Sequence, residues 1–579
     1  MDKHTLKRIL SYIKPLRWHV LGAVLCSIIS VTLTLLAPIL VGNSIDLMLG
    51  TGLVRFAEIG KIIIKLIIII IAIALFQWLL SHITNIISYK TACSIRTQIF
   101  QKLNSVPLSY VDSRPHGDIM SRVINDVDSI GDGLLQGITQ LFNGVVTIIG
   151  TLCFMLSINV EITAAVVVIT PLSIFVATFI AKTSYKMFVE QAKTQGELSG
   201  YVEETVSNQK IVKSFSYEPR NIRHFEKINS RLYNCGVKAQ FYSSLANPCT
   251  RFVNSLVYAS VGVIGSLGAI YNGLLTVGQI SCFLTYANQY TKPFNEITGV
   301  VTQIQNAFAA AQRVFDVMDT DSEINPEGDK KGLSVVGKID FENVSFSYKP
   351  SVKLIQNLNL HVSPGEKVAI VGPTGCGKTT FINLLMRFYD INSGKIYIDD
   401  VNIADMSRET LRKNFGMVLQ ETWLYSGTIK ENICYGKPHA SDEEIIAAAK
   451  AAHAHNFIKR LPNGYDTVLS ENGINLSQGQ RQLISIARIM ILDPPILILD
   501  EATSSIDTRT ESQIQHAFAK LMRGKTSFVV AHRLSTIQNA DVILVMNQGN
   551  IIEQGNHREL IEKNGFYAKL YTSQFSTDL

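Results

Sequence analysis

The sequence predicts two domains of different fold class: a membrane domain of six transmembrane α-helices, followed by an α/β P-loop domain. Two observations carry this prediction. Apolar residues make up 47% of the 579 residues and charged residues only 17%, and this apolar excess is concentrated in the first half of the chain. The second half contains a phosphate-binding pattern placed between a strand pattern and a helix pattern.

The predicted spans are runs that contain no Asp, Glu, Lys or Arg. They are residues 20–41, 66–89, 133–160, 162–181 and 252–291. Each run has at least about 20 residues, which is enough to cross a hydrocarbon core of roughly 30 Å. The last run is long enough for most of two helices, with a tight turn at 271–278 between them. Six transmembrane helices are therefore predicted.

The basic residues predict the orientation of these spans. The N-terminal segment and the segments 90–132 and 182–251 are rich in Lys and Arg, whereas the third and fifth loops have neither. Positive residues accumulate on the cytoplasmic side, so we expect a multi-pass protein in the lipid bilayer with both termini in the cytoplasm. The first loop departs mildly from this pattern. The same bias explains the net charge of +6, so nucleic acid is not a predicted partner.

The two long cytoplasmic segments are rich in helix formers and are broken near their middles. Residues 113–117 and 214–220 contain the Pro, Gly and Ser breakers. The segments therefore read as helices that continue out of the membrane and return, with tips placed to contact the P-loop domain. Solvated amphipathic hairpins are the alternative.

Composition also predicts the domain boundaries. A polar, charged stretch broken by Pro and Gly separates a membrane domain at 1–318 from a P-loop domain at 338–579, which makes 319–337 a linker. The eight cysteines show no C-x-x-C spacing, so neither a zinc site nor a disulfide framework is predicted.

The phosphate-binding pattern G-x-x-x-x-G-K-[ST] occupies 372–379, between the apolar run 367–371 and a helix opening. Backbone N–H groups of such a loop and the helix N-terminus bind phosphate, a lysine reaches the β and γ phosphates, and a hydroxyl meets Mg²⁺. Lys378 and Thr379 are predicted for the last two roles. A thiol beside Lys378 is expected to react readily with reagents and to be shielded by nucleotide. The predicted nucleotide-contacting residues are Gly372, Pro373, Thr374, Gly375, Cys376, Gly377, Lys378, Thr379 and Thr380.

Further along, the apolar run 496–499 ends in Asp500 and Glu501. One carboxylate can hold Mg²⁺ through water while the next faces the water that attacks the γ phosphate. Between the two motifs, Ser477, Gly479 and Gln480 stand in a short polar turn that opens a helix. This turn predicts a second phosphate-binding element.

Three other polar residues stand next to strand patterns. Gln420 and His532 each follow an apolar strand, and Tyr348 precedes the phosphate loop by about two dozen residues. A single His or Tyr in such a position is more often structural, so none of the three indicates a function alone.

Taken in this order, the residues from 338 to 579 resemble the nucleotide-binding domain of ATP-binding cassette (ABC) transporters. The resemblance implies that Tyr348 stacks on adenine, that Gln420 links Mg²⁺ and water to the membrane domain, and that Asp507 belongs to the D-loop. It implies catalytic roles for Glu501, His532 and Gln420, and metal contacts from Thr379, Gln420 and Asp500. The signature motif carries Gln478 in place of the common glycine, while Ser477 and Gly479 remain.

Six spans followed by one ATP domain resemble a half-transporter of the type IV exporter fold. The resemblance implies an ATPase that uses ATP and Mg²⁺, sits in the cytoplasmic membrane of a bacterium, and works as a dimer in which the signature motif closes on the partner's nucleotide. The segments 471–483, 507–511 and 565–575 look like the catalytically intact subunit of heterodimeric multidrug exporters, so a heterodimer is favoured over a homodimer.

The predicted cargo is a small amphiphile: a drug, a lipid or a hydrophobic peptide. Polar and aromatic residues within the spans, among them Gln77, Tyr286 and Gln289, suit such molecules but equally suit hydrogen bonds between helices. Alternatives are a lipid flippase, a dedicated peptide exporter, and an ATP-gated or regulatory membrane protein without transport.

Overall fold

The computed structural model describes residues 3–48, 54–272, 275–323, 335–349, 351–419, 422–469, 475–500, 507–530 and 537–575. The chain divides into two compact units. The first contains Met1–Ser105 and Arg114–Thr320, and the second contains Val106–Ser113 and Asp321–Leu579. Most of the predicted linker, 324–334, lies outside the described residues.

The chain up to residue 318 is helical, and most of it belongs to the first unit. The helices up to residue 318 are α1 (Lys3–Ile13), α2 (Arg17–Asp46), α3 (Phe56–Leu103), α4 (Leu108–Asp112), α5 (His116–Ser121), α6 (Val127–Gln136), α7 (Phe142–Ile158), α8 (Val160–Ser207), α9 (Gln209–Ser214), α10 (Glu218–Ser244), α11 (Ala246–Asn272) and α12 (Val277–Met318). Two π-helical turns, Arg122–Asp126 and Gly137–Leu141, flank α6.

Apolar helices confirm the predicted membrane domain. Among the described residues, four helical stretches are long and apolar enough to cross a membrane: Lys3–Asp46, Phe56–Leu103, His116–Ile158 and Glu218–Ile270. The charge-free run 162–181 lies within α8, and the end of the last run lies within α12. These helices are consistent with six spans, and the number six stays a prediction.

Helices α2 and α12 approach each other at two glycines. A Cβ added to Gly278 would lie 2.1 Å from the carbonyl oxygen of Gly42, so only glycine allows this approach. One turn further, Asp46 Oδ1 accepts a 2.7 Å hydrogen bond from the N–H of Gly278, and Asp46 Oδ2 accepts one from the hydroxyl of Thr276. Small residues bring helices close in membranes, and polar contacts hold them there.

The breakers at 113–117 and 214–220 separate helices, as predicted. Helix α4 ends before Ser113, and α5 begins after Pro115. Helix α9 ends at Ser214, and α10 begins at Glu218. Helix α4 belongs to the second unit.

The second unit contains two main sheets. Its strands are β1 (Ile339–Phe346), β2 (Ile355–Val362), β3 (Lys367–Val371), β4 (Ser393–Ile398), β5 (Val401–Asn402), β6 (Phe415–Val418), β7 (Gly427–Thr428), β8 (Val468–Leu469), β9 (Ile496–Asp500), β10 (Thr526–Val530), β11 (Val542–Asn547) and β12 (Asn550–Gly555). One sheet has the order β12-β11-β3-β10-β9-β6 and the other β2-β1-β4-β5. The first is parallel except at β12, and the second is antiparallel.

Helices complete the α/β layers of this unit. They are α13 (Lys378–Leu385), α14 (Arg408–Lys413), α15 (Ile429–Ile433), α16 (Asp442–Ala451), α17 (His455–Ile458), α18 (Gln478–Leu492), α19 (Thr508–Leu521), α20 (His557–Glu562) and α21 (Phe566–Phe575). Strands β3, β9 and β10 are buried along nearly their whole length, as strands covered on both faces are.

Candidate nucleotide-binding site

The phosphate-binding pattern forms the loop between the buried strand β3 and helix α13. Helix α13 begins at Lys378, and its N-cap is Gly377, whose φ of 109° favours glycine. At Gly372 an added Cβ would lie 2.2 Å from the carbonyl oxygen of Met546, which excludes any side chain there. At Gly375, by contrast, an added Cβ would meet no atom within 4 Å. The loop is thus tightly packed on one side and open on the other.

The side chain of Lys378 reaches back across this loop. Its ammonium donates hydrogen bonds of 2.8 Å to the carbonyl oxygen of Gly372 and 3.1 Å to that of Pro373. The positive charge therefore lies inside the curve of the loop, where a phosphate chain cradled by the loop would meet it. Thr374 and Thr379 are exposed on the open side, whereas Thr380 is buried.

Cys376 does not have the exposed position that the sequence suggested. Its side chain is 3% exposed and packs in the core with Phe381 and Met546. Its backbone N–H donates to Pro373, and its carbonyl oxygen accepts from the N–H of Gly549 at 2.8 Å. The expectation of a readily reactive thiol is therefore wrong, because a bulky reagent cannot reach this sulfur without opening the core. Cys376 contributes to the loop through its backbone.

Asp500 lies at the same edge of the sheet as the phosphate loop. In the parallel ladder Ile370 of β3 pairs with Val530 of β10, and Val530 pairs with Asp500 of β9. Asp500 is thus two strands from the start of the loop, about 10 Å away. Carboxyl ends of parallel strands are the usual place for ligands in such sheets, and the carboxylate at this end suits a cation held beside the phosphates.

Tyr348 stands in an aromatic cluster beside α13. Its ring packs edge-on against Phe346 and Tyr389, with 4.9 Å between ring centroids in each case. Its hydroxyl accepts a hydrogen bond from Asn383 at 3.1 Å and lies 3.3 Å from the hydroxyl of Thr380. Since Tyr348 remains 47% exposed, a ring face is left for a flat ligand.

The polar turn at 477–480 forms the N-terminus of α18. Ser477 is the N-cap: its hydroxyl accepts from the N–H of Gln480 at 3.2 Å, and the Gln480 amide oxygen accepts from the N–H of Ser477 at 3.0 Å. Both side chains thus accept hydrogen bonds from backbone N–H groups at the N-terminus of the helix, which is a capping box. Gly479 is buried and Ser477 exposed. The pair presents a positive helix end to the surface.

Asp507 is the N-cap of α19. Its carboxylate accepts from the N–H of Thr510 at 3.0 Å, and this bond lowers the pKa of Asp507 below its usual range. The carboxylate therefore stays ionised at neutral pH. The structure thus gives Asp507 a structural role in addition to the D-loop role implied by resemblance.

The three residues predicted to be catalytic lie outside the described residues: Gln420, Glu501 and His532. The strands that precede them, β6, β9 and β10, are described and are neighbours in one sheet. Their placement stays a prediction.

Comparison with known proteins decides the family. A fatty acid ABC transporter ATP-binding/permease protein from Mycobacterium bovis is 43% identical over 521 residues, which cover 90% of this chain and 82% of the relative. The chain belongs to the ABC transporter family. The family profile described as the ABC transporter transmembrane region matches residues 20–294, and the profile described as ABC transporter matches residues 355–504.

Two further relatives show the arrangement of this ABC transporter. An ATP-dependent lipid A-core flippase from Syntrophus aciditrophicus is 37% identical and aligns with 99% of this chain and 95% of its own length. A solved structure of a bacterial Atm1-family ABC exporter with ATP bound superposes with a TM-score of 0.79 at 29% identity, covering 97% of this chain and 98% of that one. The chain is therefore an ABC exporter half-transporter of the type IV fold, with a helical membrane domain fused to an ATP-binding domain. It is an ATPase coupled to transport.

The second unit of this ABC transporter also contains a contact that sequence reasoning missed. The hydroxyl of Tyr389 donates a 2.6 Å hydrogen bond to Asp112 Oδ2 in the tip helix α4. Burial raises the pKa of Tyr389, and the bond to Asp112 raises it further, so the phenol stays protonated and remains a donor. Through its ring contact with Tyr348, Tyr389 connects the tip helix to the predicted adenine platform.

Proposed function

We propose that this chain is one half of a dimeric bacterial exporter that uses ATP to move amphiphilic molecules out of the cytoplasm. The observation that carries the proposal is the phosphate loop with Lys378 inside its curve, on the same chain as helices long and apolar enough to cross a membrane. The names of the relatives support an amphiphilic cargo, since one is called a fatty acid transporter and another a lipid A-core flippase. Lipid flipping is the second candidate for the same reason.

In this proposal the loop from Gly372 to Thr379 holds the phosphates of ATP, and Tyr348 stacks on adenine. The exposed hydroxyl of Thr379 and the carboxylate of Asp500 supply hard oxygen ligands of the kind that Mg²⁺ takes beside phosphates, with Gln420 as the third. Bound Mg²⁺ would neutralise charge on the phosphates. Glu501 orients the attacking water, and His532 contacts the γ phosphate.

The proposed dimer rests on the position of the signature motif. Ser477 is the exposed N-cap of α18, and Gly479 lies buried in the first turn behind it. In this family that helix end closes on nucleotide held by the partner's phosphate loop. The sequence favours a different half-transporter as that partner, and a second copy of this chain is the alternative. ATP binding would draw the two ATP domains together, and hydrolysis would release them.

Lys378→Ala tests the function as a whole. In proteoliposomes that contain the purified transporter with its neighbouring half-transporter, if one is encoded, we expect ATP-dependent movement of a fluorescent amphiphile. This movement should fall to background in Lys378→Ala, because the loop loses the charge that meets the phosphates. Lys525→Ala is the control, since Lys525 pairs with Asp493 at 2.5 Å outside the phosphate loop. Movement that is equal with and without ATP would contradict the proposal.

Tyr389→Phe tests the proposed coupling between ATP use and transport. The variant removes the hydroxyl that donates to Asp112 but keeps the ring against Tyr348. We expect nearly unchanged ATP binding and a fall of about fivefold in amphiphile moved per ATP hydrolysed, the factor that ~1 kcal/mol for one hydrogen bond corresponds to.

Tyr465→Phe is the matched control, because it removes a tyrosine hydroxyl that contacts His455 at 2.8 Å in the same unit. If Tyr389→Phe moves as much amphiphile per ATP hydrolysed as wild type does, the Asp112 contact plays no part in coupling ATP hydrolysis to transport.

A further inference from the structure

The second unit contains a cavity on one face of the six-stranded sheet, beside helix α19. Its volume is about 510 Å³, within the range of roughly 300–1,000 Å³ that is usual for small-molecule sites. His516, Ala519 and Asn539 line the cavity and are exposed, so it opens to the surface. The described residues that line it are Lys367, Val368, Ala369, Gln515, His516, Ala519, Met522, Val529, Asn539 and Ala540.

Small side chains leave this volume open. Ala369 of β3 pairs with Val529 of β10, and both line the cavity from the sheet. Gln515 and Ala519 are four positions apart and therefore share one face of α19. Ala540 lines the cavity from the segment that leads into β11, the other neighbour of β3. Because alanine fills little space, a flat molecule has room against this apolar part of the sheet.

The cavity is separate from the nucleotide site. Lys367 is the first residue of β3 and lines the cavity, whereas the phosphate loop begins at Gly372, after the end of the same strand. Five residues of extended strand correspond to about 16 Å. No residue of the loop 372–379, all of which the structure describes, lines the cavity. A molecule in the cavity therefore does not need the nucleotide site.

Two adjacent side chains of α19 offer this cavity a hydrogen-bond donor and an acceptor. Within the described part of the chain, the side-chain nitrogen Nε2 of Gln515 is buried and has no hydrogen-bond partner. A buried donor without a partner costs free energy, and a carbonyl group of a ligand would satisfy it. Nδ1 of His516 donates to the carbonyl oxygen of Ser512 at 2.6 Å, so Nε2 of the neutral ring is an acceptor.

We propose that this cavity binds a planar heterocycle with a lactam edge, which has a carbonyl group next to a ring N–H. The carbonyl accepts from Gln515, the N–H donates to His516, and the ring lies against Ala369 and Val529. A purely apolar molecule would leave the Gln515 donor without a partner. Oxidised purines and flavins both have such an edge, and they share the chemistry that the two side chains recognise. The site goes beyond ATP-driven export and does not depend on the identity of the cargo.

Equilibrium dialysis with the full-length transporter in detergent tests the proposal. The radiolabelled probes are inosine and riboflavin, and each is compared with its form methylated on the lactam nitrogen, 1-methylinosine and 3-methylriboflavin. Saturating AMP-PNP with Mg²⁺ keeps the probes out of the nucleotide site. We expect at least one of the two lactams to bind, and its methylated form to bind at least about fivefold more weakly, the factor for one lost hydrogen bond. Whether inosine, riboflavin or both bind identifies the source of the lactam.

Two variants assign this binding to the cavity. Gln515→Leu removes the donor but keeps a side chain of similar size, so it should weaken the lactam at least about fivefold. Ala519→Phe fills the cavity from an exposed position of α19 and should abolish binding. The matched controls are Gln513→Leu on α19 and Ala447→Phe at an exposed position of α16. Neither residue lines the cavity, and both variants should bind the lactam as wild type does.

Binding of AMP-PNP, measured on each variant, shows whether its ATP domain is folded. Gln515→Leu keeps the test decisive if Ala519→Phe does not fold. The proposal is overturned if wild type binds neither inosine nor riboflavin, or if methylation of the lactam nitrogen leaves binding unchanged. Equal lactam binding by wild type and by folded Gln515→Leu would overturn it as well.

Discussion

Glu501→Gln is expected to retain ATP binding and to lower ATP turnover by at least about a hundredfold, the usual size of a lost acid–base contribution. Asp500 ends strand β9 at the same sheet edge as the phosphate loop, so the substitution leaves the proposed metal ligand in place. The attacking water alone loses its carboxylate partner. ATP hydrolysis and ATP binding should be measured on the same purified and assembled transporter.

Glu562→Gln is the matched control for this substitution. Glu562 is exposed and pairs only one turn away with Arg558 at 3.2 Å, so removing its charge should change turnover by less than about twofold, as surface pairs contribute little. Turnover near the wild-type rate in Glu501→Gln would refute the role proposed for Glu501.

The order of motifs allowed the nucleotide site to be predicted because each motif follows its own strand pattern. Strand β3 leads into the phosphate loop, and strand β9 ends in Asp500. The sequence cannot show that β10 lies between these two strands, since pairing is set by packing over long sequence separations. The sheet order shows why residues more than a hundred positions apart meet at one edge.

The burial of Cys376 could not be predicted from the motif in which it stands. Its neighbour Lys378 and the helix N-terminus suggested a reactive thiol, but its side chain is buried in the core cluster that includes Met546 of β11, and its carbonyl oxygen accepts from the N–H of Gly549. Both partners lie about 170 residues further along the chain. Burial of this kind depends on tertiary contacts, and no local pattern indicates it.

The pairing of Tyr389 with Asp112 has the same origin. The two residues are 277 positions apart, and neither stands in a recognisable motif. The breaker pattern predicted the tip helix, yet the particular contact depends on how α4 packs in the second unit. The capping box of α18 is a different case, because Ser477 and Gln480 have the S-x-x-Q spacing that indicates it, and a search for that spacing would have found it.

Hydropathy predicted the membrane helices well but could not separate their polar residues by role. Tyr286 and Gln289 are three residues apart on α12. The first donates to a backbone carbonyl of α2, and the second lines a cavity together with Gln77 and Asn143. One helical turn separates a packing contact from a place at the edge of a cavity, and only the positions of the neighbouring helices show the difference.

Ser477→Arg is expected to abolish ATP turnover in a homodimer and to damage only one of the two sites in a heterodimer. Ser477 opens α18 at the surface, and its hydroxyl caps the helix. The bulky guanidinium of an arginine there would occupy the position of the γ phosphate of the nucleotide that the partner binds. ATPase activity should be measured for the chain alone and for the chain with its neighbouring half-transporter, each with and without the substitution.

Two controls separate this effect from loss of the helix cap, which costs about 1 kcal/mol. Ser477→Ala removes the cap without adding bulk, so it should retain most of the turnover. Ser441→Arg places the same arginine on the equivalent capping box of α16, where Ser441 accepts from Glu444 at 3.2 Å, and it should leave turnover intact.

The same measurement decides the partner. Because the sequence favours a heterodimer, we expect the chain alone to show little transport-coupled ATPase, and its neighbour to restore it. In the restored pair, Ser477→Arg would spare the site completed by this chain's own phosphate loop and Glu501, since the partner's signature motif closes on that site. Robust coupled ATPase from the chain alone, lost in Ser477→Arg but kept in Ser441→Arg, would instead establish a homodimer, because each copy would then lack the signature motif that its partner needs.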